Sequence, residues 1–210
     1  MNTSLAIPRP LSNFIARLRR ILRARILKRW GSSETKQAIW DNEFAAGQWD
    51  YLERTSEDPV YGYLNRYAYQ GSVLDLGCGS GNTGCEMEYS RYDRYTGVDI
   101  SAQAVRRAEA RSKNAGRQKK NEYFCDDIAL FEPRERYDVI LFRESLFYVP
   151  RTKVVGLLDR YRPWLTERGV FIVRMCDRRR YGGIVRRIER NYHVLETSPA
   201  ADANIIMVFR

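Results

Sequence analysis

The segment Val73-Leu-Asp-Leu-Gly-Cys-Gly-Ser-Gly81 is a short apolar run that ends in a glycine-rich turn. The run has the length of one buried strand, and the residues after it, near 83–89, predict a helix. Glycines let a backbone turn tightly and approach a ligand closely, while the first turn of a helix offers unpaired N–H groups. The pattern G-x-G-x-G differs from the G-x-G-x-x-G of dinucleotide-binding proteins, so the turn alone does not identify its ligand.

The segments that follow the turn alternate between strand and helix patterns. Strands are predicted at 95–100, 121–125, 137–143 and 169–176, and helices at 102–115 and 153–165. This alternation predicts an α/β fold, in which a doubly wound and mostly parallel sheet is covered by helices on both faces. The last two predicted strands, 193–197 and 204–209, have only a short connection, which favours an antiparallel hairpin at one edge of the sheet.

Three regions are predicted along the chain. They are a basic amphipathic N-terminal helix or tail at 1–33, a helical and aromatic lead-in at 34–70 that caps the active site, and the core at 71–210. The four cysteines are scattered and His193 is the single histidine, so the clustered ligands that a zinc site needs are missing from the sequence. We therefore predict no metal.

The net charge of +10 is concentrated at the N-terminus, because residues 1–33 hold eight basic side chains and no acid. Apolar residues at three- and four-residue steps from Leu11 to Trp30 predict an amphipathic helix. Such a helix suits an anionic membrane surface. Docking on the core, a tail that orders on binding, nucleic acid binding and an organelle transit peptide are the alternatives. With no apolar run of membrane-spanning length and no secretory signal, the predicted location is cytoplasmic, peripheral to the inner face of the membrane where residues 11–30 bind it.

Acidic residues stand at the carboxyl ends of three successive predicted strands. Asp75 directly precedes the glycines, Asp99 ends the second strand, and Asp126 and Asp127 follow the third. At these places carboxylates can meet a cationic amine, a ribose diol and an adenine edge, whereas they would repel a pyrophosphate. Each acid alone could be a helix cap or a solvated loop residue. Together they favour a cofactor with a sulfonium, an amine, a ribose and an adenine.

The same segments resemble the sequence motifs of class I S-adenosylmethionine-dependent methyltransferases. Motif I is Val73–Gly81, motif II is Tyr95–Ser101, motif III is Cys125–Ile128 and motif IV is Tyr137–Tyr148. The resemblance implies a seven-stranded sheet and S-adenosylmethionine as the cofactor. It implies that Gly77, Gly79 and Gly81 line the methionine part of the cofactor, with Asp99 on the ribose hydroxyls and Asp126 on the adenine amine. The predicted cofactor-binding set is completed by motif residues Asp75, Cys78, Ile100, Asp127 and Ile128.

Three further segments are similar to a group of small bacterial methyltransferases. The segments are Trp40-Asp-x-x-Phe44, Gly47-x-Trp-Asp-Tyr-Leu52 and Phe142-x-Glu-x-Leu-Phe-Tyr148. Members of that group often belong to polysaccharide or nodulation-factor pathways, which implies a sugar-containing acceptor. Arg143 stands where an asparagine is expected in this group, and that difference leaves the acceptor open.

The candidate catalytic residues follow the fourth predicted strand. Methyl transfer is an in-line displacement, so the protein chiefly aligns the reactants and excludes water. Glu144 is predicted as a general base or substrate contact, with a structural ion pair to an arginine as the alternative. Arg143 is expected to hold an anionic substrate group, and Tyr148 lies one short turn further on. The arginines at 178–187 are predicted to lie in a loop, flanking an anionic acceptor or forming a solvated basic face.

The predicted function is methyl transfer to an oxygen or nitrogen atom of a small acceptor that contains a sugar or an anionic group. An RNA methyltransferase is one alternative, but Phe142-Arg-Glu-Ser145 lacks the signatures of adenine N6 and cytosine C5 enzymes. The basic charge lies on one helix instead of along a cleft, so nucleic acid is not the expected partner. A non-catalytic, membrane-associated protein is the other alternative, which the intact glycines and Asp99 disfavour. The aromatic lead-in, around Trp40 and Trp49, is expected to close over the sulfonium or to be plain packing.

Overall fold

The computed structural model of the protein describes residues 9–52 and 55–210, without the side chains of 9–18, 20 and 52. Seven α-helices lie within the described residues. They are α1 (Arg9–Trp30), α2 (Ser33–Ala45), α3 (Val60–Tyr67), α4 (Asn82–Glu86), α5 (Ala102–Asn114), α6 (Val154–Tyr161) and α7 (Arg178–Asn191). The predicted helix at 11–30 therefore forms, although the part of the apolar face made by Leu11, Phe14, Ile15 and Leu18 lies outside the described side chains, as does the tail at 1–8.

Seven strands of the described chain form one sheet in the order β3-β2-β1-β4-β5-β7-β6. They are β1 (Ser72–Leu76), β2 (Arg94–Asp99), β3 (Asn121–Cys125), β4 (Tyr137–Arg143), β5 (Leu165–Met175), β6 (Val194–Thr197) and β7 (Ile205–Phe209). Strands β1 to β5 are parallel to one another, and β7 runs antiparallel to both β5 and β6. The predicted seven-stranded, mostly parallel sheet with an antiparallel C-terminal hairpin is confirmed.

The central strands are apolar on both sides because helices cover both faces of the sheet. In β4, Ile140 and Phe142 belong to the core layer that contains α6 and α7. Their neighbours Val139 and Leu141 belong to the opposite layer, which contains α3. All four side chains are fully buried, so the continuous apolar run of β4 reflects two cores that share one strand.

One predicted element is wrong: residues 178–187 lie in helix α7 and not in a loop. The carboxylate of Asp177 caps this helix by accepting a hydrogen bond from the Arg180 amide at 2.9 Å. Buried Tyr181, Ile184 and Ile188 follow helical spacing along α7. Many arginines and a Gly-Gly pair hide this periodicity in the sequence, which is why a loop was predicted.

The first two helices lie outside this layered core and lead toward the carboxyl ends of the strands. α1 ends at Trp30, the Gly31 amide donates to the Leu27 carbonyl at 2.8 Å, and Ser32 caps the start of α2. Within the described residues, no helix combines the length and apolarity that crossing a bilayer requires.

Candidate active site

A cavity of about 1740 Å³ opens at the carboxyl ends of the strands, between the core and the first two helices. Its lining includes Gly77 just after β1, Asp99 and Arg143 at the ends of β2 and β4, and Lys28 and Trp40 from α1 and α2. Ligands of open α/β sheets bind at this edge. Pockets for one small molecule usually measure about 300–1,000 Å³, so this cavity has room for a cofactor and an acceptor together.

The glycine-rich turn is held by tight internal contacts. Gly77 adopts φ +89°, and a Cβ there would lie 2.5 Å from the Cβ of Ser145. Gly81 adopts φ +77°, and its Cβ would lie 2.7 Å from the Cβ of Ala108 on α5. Both positions therefore require glycine for space as well as for backbone conformation. Gly77 and Gly79 line the cavity, whereas Gly81 faces α5.

Asp75 is fully buried and lines the cavity beside the turn. Its Oδ2 accepts a hydrogen bond from the Tyr95 hydroxyl at 2.6 Å, while its Oδ1 has no hydrogen-bond partner among the described residues. Burial raises the pKa of this carboxyl, and the hydrogen bond from Tyr95 opposes that rise. A buried carboxylate oxygen without a partner is costly, so a ligand amine at this place would compensate it.

Asp99 links the end of β2 to the glycine turn. Its Oδ2 accepts from the Gly79 amide and its Oδ1 accepts from the Ser101 amide, each at 2.9 Å. Burial raises its pKa to about 6, although both backbone hydrogen bonds favour the charged form. A carboxylate oxygen has two lone pairs, so each oxygen keeps one acceptor site for a ligand hydroxyl after bonding the backbone.

The two acids after β3 occupy different surroundings. Asp127 lines the cavity, but its Oδ2 accepts from the Ser33 hydroxyl at 2.8 Å and from the Lys36 ammonium at 3.1 Å. Burial raises the pKa of Asp127, and hydrogen bonds from the Ala129 amide and these two α2 side chains outweigh that effect, so the pKa is lowered. Asp126 is half-buried and accepts from the Asp127 amide at 2.7 Å. Three further predicted residues line the same cavity, namely Cys78, Ile100 and Ile128.

Arg143 and Glu144 line the cavity but belong to a network of ion pairs. Arg143 is 11% exposed and donates to the Tyr61 hydroxyl and to Asp58, each at 2.9 Å. The same carboxylate oxygen of Asp58 lies 3.2 Å from Nε of Arg174, which also forms an ion pair with Glu144. Both interpretations of Glu144 therefore remain open, since it contacts an arginine and also faces the cavity.

The backbone of Glu144 places its carboxylate in this network. Glu144 adopts φ +56°, a left-handed conformation that non-glycine residues rarely take. Its amide donates to the Arg174 carbonyl at 3.0 Å, which holds the turn after β4 in place. Burial raises the pKa of the Glu144 carboxyl, and the Arg174 charge opposes that rise. A carboxyl in this position is suited to accept a proton from a bound group.

Tyr148, the third candidate catalytic residue, lies against the aromatic side chains of the lead-in. Its ring meets the Trp40 ring edge-on, with centroids 4.8 Å apart. Burial raises the pKa of the Tyr148 hydroxyl, so the phenol stays neutral at physiological pH. Trp40 in turn lies 5.4 Å from Trp49, measured between ring centroids. The lead-in therefore forms an aromatic wall of the cavity that reaches the segment after β4.

Lys28 was not predicted from the sequence, although its ammonium packs against the rings of this aromatic wall. Its Nζ is 3.7 Å from the Trp40 ring centroid and 2.5 Å from Oε2 of Glu43. Lys28 is 8% exposed, and burial lowers its pKa while Glu43 opposes that effect. No sequence signal separates Lys28 from the other basic residues of α1, because its partners come from other elements.

Asp41 was also missed, although it lies within a segment that was singled out. Its Oδ1 accepts from the Ser101 hydroxyl at 2.7 Å and from the Gln103 amide at 3.0 Å, at the start of α5. A Cβ on Gly79 would lie 3.8 Å from the ring of Phe44. The segment Trp40-Asp-x-x-Phe44 thus holds α2 over the glycine turn, and the spacing of its three residues was the available signal.

Part of the chain is similar to known methyltransferases. A family model described as a methyltransferase domain matches residues 74–171. The chain is 28% identical over 119 residues to 27-O-demethylrifamycin SV methyltransferase of Amycolatopsis mediterranei, covering 53% of this chain and 44% of that protein. It is 31% identical over 106 residues to a ubiquinone biosynthesis O-methyltransferase of Bradyrhizobium sp., covering 50% of this chain and 40% of the relative. The chain thus spans less than half the length of these curated relatives.

A solved structure extends the fold comparison beyond the matched domain. N-methyltransferase NodS from Bradyrhizobium japonicum, in complex with S-adenosyl-L-homocysteine, superposes with a TM-score of 0.64. The match covers 83% of this chain and 97% of NodS at 20% sequence identity. At that identity the comparison shows a shared fold.

Proposed function

We propose that the chain is a class I S-adenosylmethionine-dependent methyltransferase, and that it transfers a methyl group to an oxygen or nitrogen atom of a small organic acceptor. The observation that carries this proposal is the unpartnered Oδ1 of buried Asp75 in a cavity shared with the glycine turn and Asp99. An acceptor-only oxygen, a glycine turn and a second carboxylate suit the amine, the methionine part and the ribose of the cofactor.

The residues of the chain bind and orient, while the bound cofactor would supply an electrophilic methyl group on its sulfonium. Asp75 would accept hydrogen bonds from the cofactor's amine, and Asp99 would accept from the ribose hydroxyls. Gly77 and Gly79 would leave space for the methionine part, and Asp126 would accept from the adenine amine. Together with Cys78, Ile100, Asp127 and Ile128, these residues make up the proposed cofactor site, and Gly81 supports it from behind by packing the turn against α5.

On the acceptor side, we propose that Glu144 accepts the proton that the acceptor's hydroxyl or ammonium loses. The raised pKa of Glu144 supports this role, because a base with a higher pKa takes up a proton more readily. Arg174 positions Glu144 through their ion pair. Arg143 fixes Asp58 and the end of β4, and Tyr148 closes the cavity wall against water.

The proposed acceptor carries an anionic group, such as one linked to a sugar. Exposed basic side chains line the mouth of the cavity, namely Arg151, Lys153 and Arg180. Clefts lined by one sign of charge attract ligands of the opposite sign. The methyltransferase relatives are named for rifamycin and ubiquinone biosynthesis, which supports a small molecule as the acceptor here.

Calorimetry with S-adenosylmethionine and S-adenosylhomocysteine tests this proposal. We expect both to bind, and Asp99→Ala to weaken binding by about 10- to 100-fold, corresponding to about 1.5–3 kcal/mol for a hydrogen bond to a charged group. Asp93→Ala is the matched control, since Asp93 is an exposed acid next to the opposite end of β2. Failure of the wild type to bind either compound would contradict the enzyme proposal.

We also propose that α1 attaches the protein to an anionic membrane surface. Leu22, Ile26 and Trp30, spaced by four residues, are 49%, 60% and 60% exposed. Arg19 and Arg23 are exposed on the same helix, so an apolar stripe with basic flanks faces solvent. This pattern is typical of helices that lie in the membrane interface.

Sedimentation with vesicles of phosphatidylcholine and phosphatidylserine tests the membrane proposal. We expect the wild type to sediment and the triple variant Leu22→Ser, Ile26→Ser, Trp30→Ser to stay in the supernatant. Leu130→Ser is the control, because Leu130 is 61% exposed outside α1. Equal sedimentation of the triple variant and the wild type would exclude α1 as the attachment.

A further inference from the structure

The aromatic wall of the cavity forms a cage around one cation. The Nζ of Lys28 lies 3.7 Å from the ring centroid of Trp40, 5.2 Å from that of Trp49 and 5.7 Å from that of Tyr148. Glu43 closes the cage with Oε2 at 2.5 Å from Nζ, and the Trp49 indole donates to the same oxygen at 3.1 Å. Aromatic faces with a carboxylate are the chemistry that binds an ammonium group.

The cage belongs to the same cavity as the proposed cofactor site. Trp40, Glu43, Trp49 and Tyr148 all line the cavity that also contains Gly77, Gly79 and Asp99. Phe44 connects the two places, because its ring lies 6.3 Å from that of Trp49 and is the nearest group to a Cβ on Gly79. A ligand group in the cage would therefore lie one aromatic ring away from the glycine turn.

The contacts of α1 indicate that Lys28 can leave the cage. Near its end α1 is held by polar contacts: the ion pair of Lys28 with Glu43 and the hydrogen bond from Arg29 to the Phe147 carbonyl. The apolar side chains of Leu22 and Ile26 face solvent instead of the core. Burial also lowers the pKa of Lys28, which means that desolvation disfavours its ammonium in the cage. A quaternary ammonium is less strongly hydrated than the primary ammonium of Lys28 and would lose less hydration energy on entering the cage.

We propose that Trp40, Trp49, Tyr148 and Glu43 form a subsite for an ammonium group of the acceptor, and that Lys28 occupies this subsite until the acceptor displaces it. The inference rests on the proposed function and narrows its substrate class. The acceptor would carry an amine that enters the cage and an anionic group that meets the basic mouth of the cavity. The bound cation identifies the chemistry of the subsite, because Lys28 is itself a primary alkylammonium.

The test compares choline with its neutral isostere 3,3-dimethylbutan-1-ol on the full chain. Binding is followed by tryptophan fluorescence, and the release of Lys28 is followed by hydrogen exchange over 21–31. We expect the wild type to bind choline at least about tenfold more tightly than the alcohol, with faster exchange in α1 when choline binds. Equal affinity for the two compounds, or unchanged exchange in α1, would overturn the proposal.

Variants separate the cage from a general charge effect. Lys28→Ala should bind choline about tenfold more tightly than the wild type because the internal competitor is gone. Arg23→Ala is the matched control, since it removes one exposed positive charge from the same helix outside the cavity lining and leaves the cage filled, so its affinity should equal that of the wild type. Adding Trp40→Ala to Lys28→Ala should reduce choline binding to that of the alcohol. If Lys28→Ala does not fold, Lys28→Gln is the substitute, and no gain in either variant would contradict the proposal.

Cofactor binding distinguishes failure of this inference from failure of the proposed function. S-adenosylhomocysteine should bind Lys28→Ala within about twofold of the wild type, because the contacts proposed for it do not include the cage. If S-adenosylhomocysteine fails to bind the wild type, the enzyme proposal fails and the choline result is judged separately. If Trp40→Ala weakens S-adenosylmethionine but not S-adenosylhomocysteine, the cage holds the cofactor's sulfonium, and the acceptor subsite is rejected.

Discussion

The glycine turn after β1 and the cap made by α1 and α2 line the same cavity but are built differently. The turn is fixed by main-chain geometry, with Gly77 packed against Ser145 and the Gly79 amide bonded to Asp99. The cap is attached to the core by polar side-chain contacts, such as Lys36 with Asp127 and Arg29 with the Phe147 carbonyl. Close packing is rigid, whereas single polar contacts at the edge of a cavity can be exchanged for contacts with water or with a ligand.

This difference suggests a division of tasks within one cavity. A cofactor that is the same in every reaction suits the rigid half, because preformed geometry lowers the entropy lost on binding. An acceptor has to enter and leave, which suits a half that opens at small energetic cost. How far the rigid part extends, and how loosely the cap is held, can be measured with single substitutions.

The largest effect is expected where the lead-in is anchored inside the core. Asp58 is 9% exposed and pairs with both Arg143 and Arg174. Asp58→Ala would leave two buried guanidinium groups without this partner, which should lower the free energy of unfolding by about 3–5 kcal/mol. Denaturant unfolding measures the effect, and Asp50→Ala, at an exposed ion pair with Arg107, is the control. A loss equal to that of the control would mean that the anchor is as loose as the cap.

The next effect is expected at the turn itself. Gly77→Ala forces a residue with a Cβ into a left-handed backbone conformation and brings that Cβ to 2.5 Å from the Cβ of Ser145. The substitution should lower the free energy of unfolding by about 2–4 kcal/mol and weaken cofactor binding. Gly116→Ala has a similar positive φ of 67° with no atom within 4 Å of the added Cβ. This control should therefore lose only about 1 kcal/mol. Equal losses in thermal unfolding would show that the turn is not crowded.

The sequence predicted the rigid half better than the cap for a physical reason. Strands β3 and β4 begin and end at the predicted residues, because apolar runs and the turns between them are local features. The glycines and the acids at the strand ends follow from the same local order. The positions of Lys28 and Asp58 are determined by partners in other elements of the fold. The spacing of apolar residues along a helix does not show which of its basic side chains will be buried.

A smaller effect is expected from pH, again on the rigid half. Burial raises the pKa of Asp99 to about 6, and ribose hydroxyls would donate to its ionised form. Affinity for S-adenosylhomocysteine should therefore fall about tenfold from pH 7 to pH 5, measured by calorimetry. Asp99→Asn should bind weakly at both pH values, and an unchanged pH dependence in this variant would assign the titration to another group.

The effect of Asp99 on stability has the opposite sign. Because its pKa in the folded protein lies above the ordinary value of 3.8, its contribution to stability is fully present below pH 3.8. That contribution is lost as the pH rises through about 6. Weaker binding at pH 5 would thus not result from unfolding caused by the protonation of Asp99, and thermal unfolding at both pH values checks this directly.

The smallest effect is expected in the cap. Glu43→Gln removes the charge opposite Lys28 but keeps the size of the side chain and an acceptor oxygen. Losing this partly buried ion pair should weaken the docking of α1 by about 1 kcal/mol, which corresponds to about fivefold faster hydrogen exchange over 21–30. Exchange around the glycine turn should not change, because its hydrogen bonds lie within the core. The control is Glu34→Gln, an exposed acid on the same helix α2. Faster exchange at the turn as well as in α1 would show that the two halves move as one body, and the division of tasks between them would have to be abandoned.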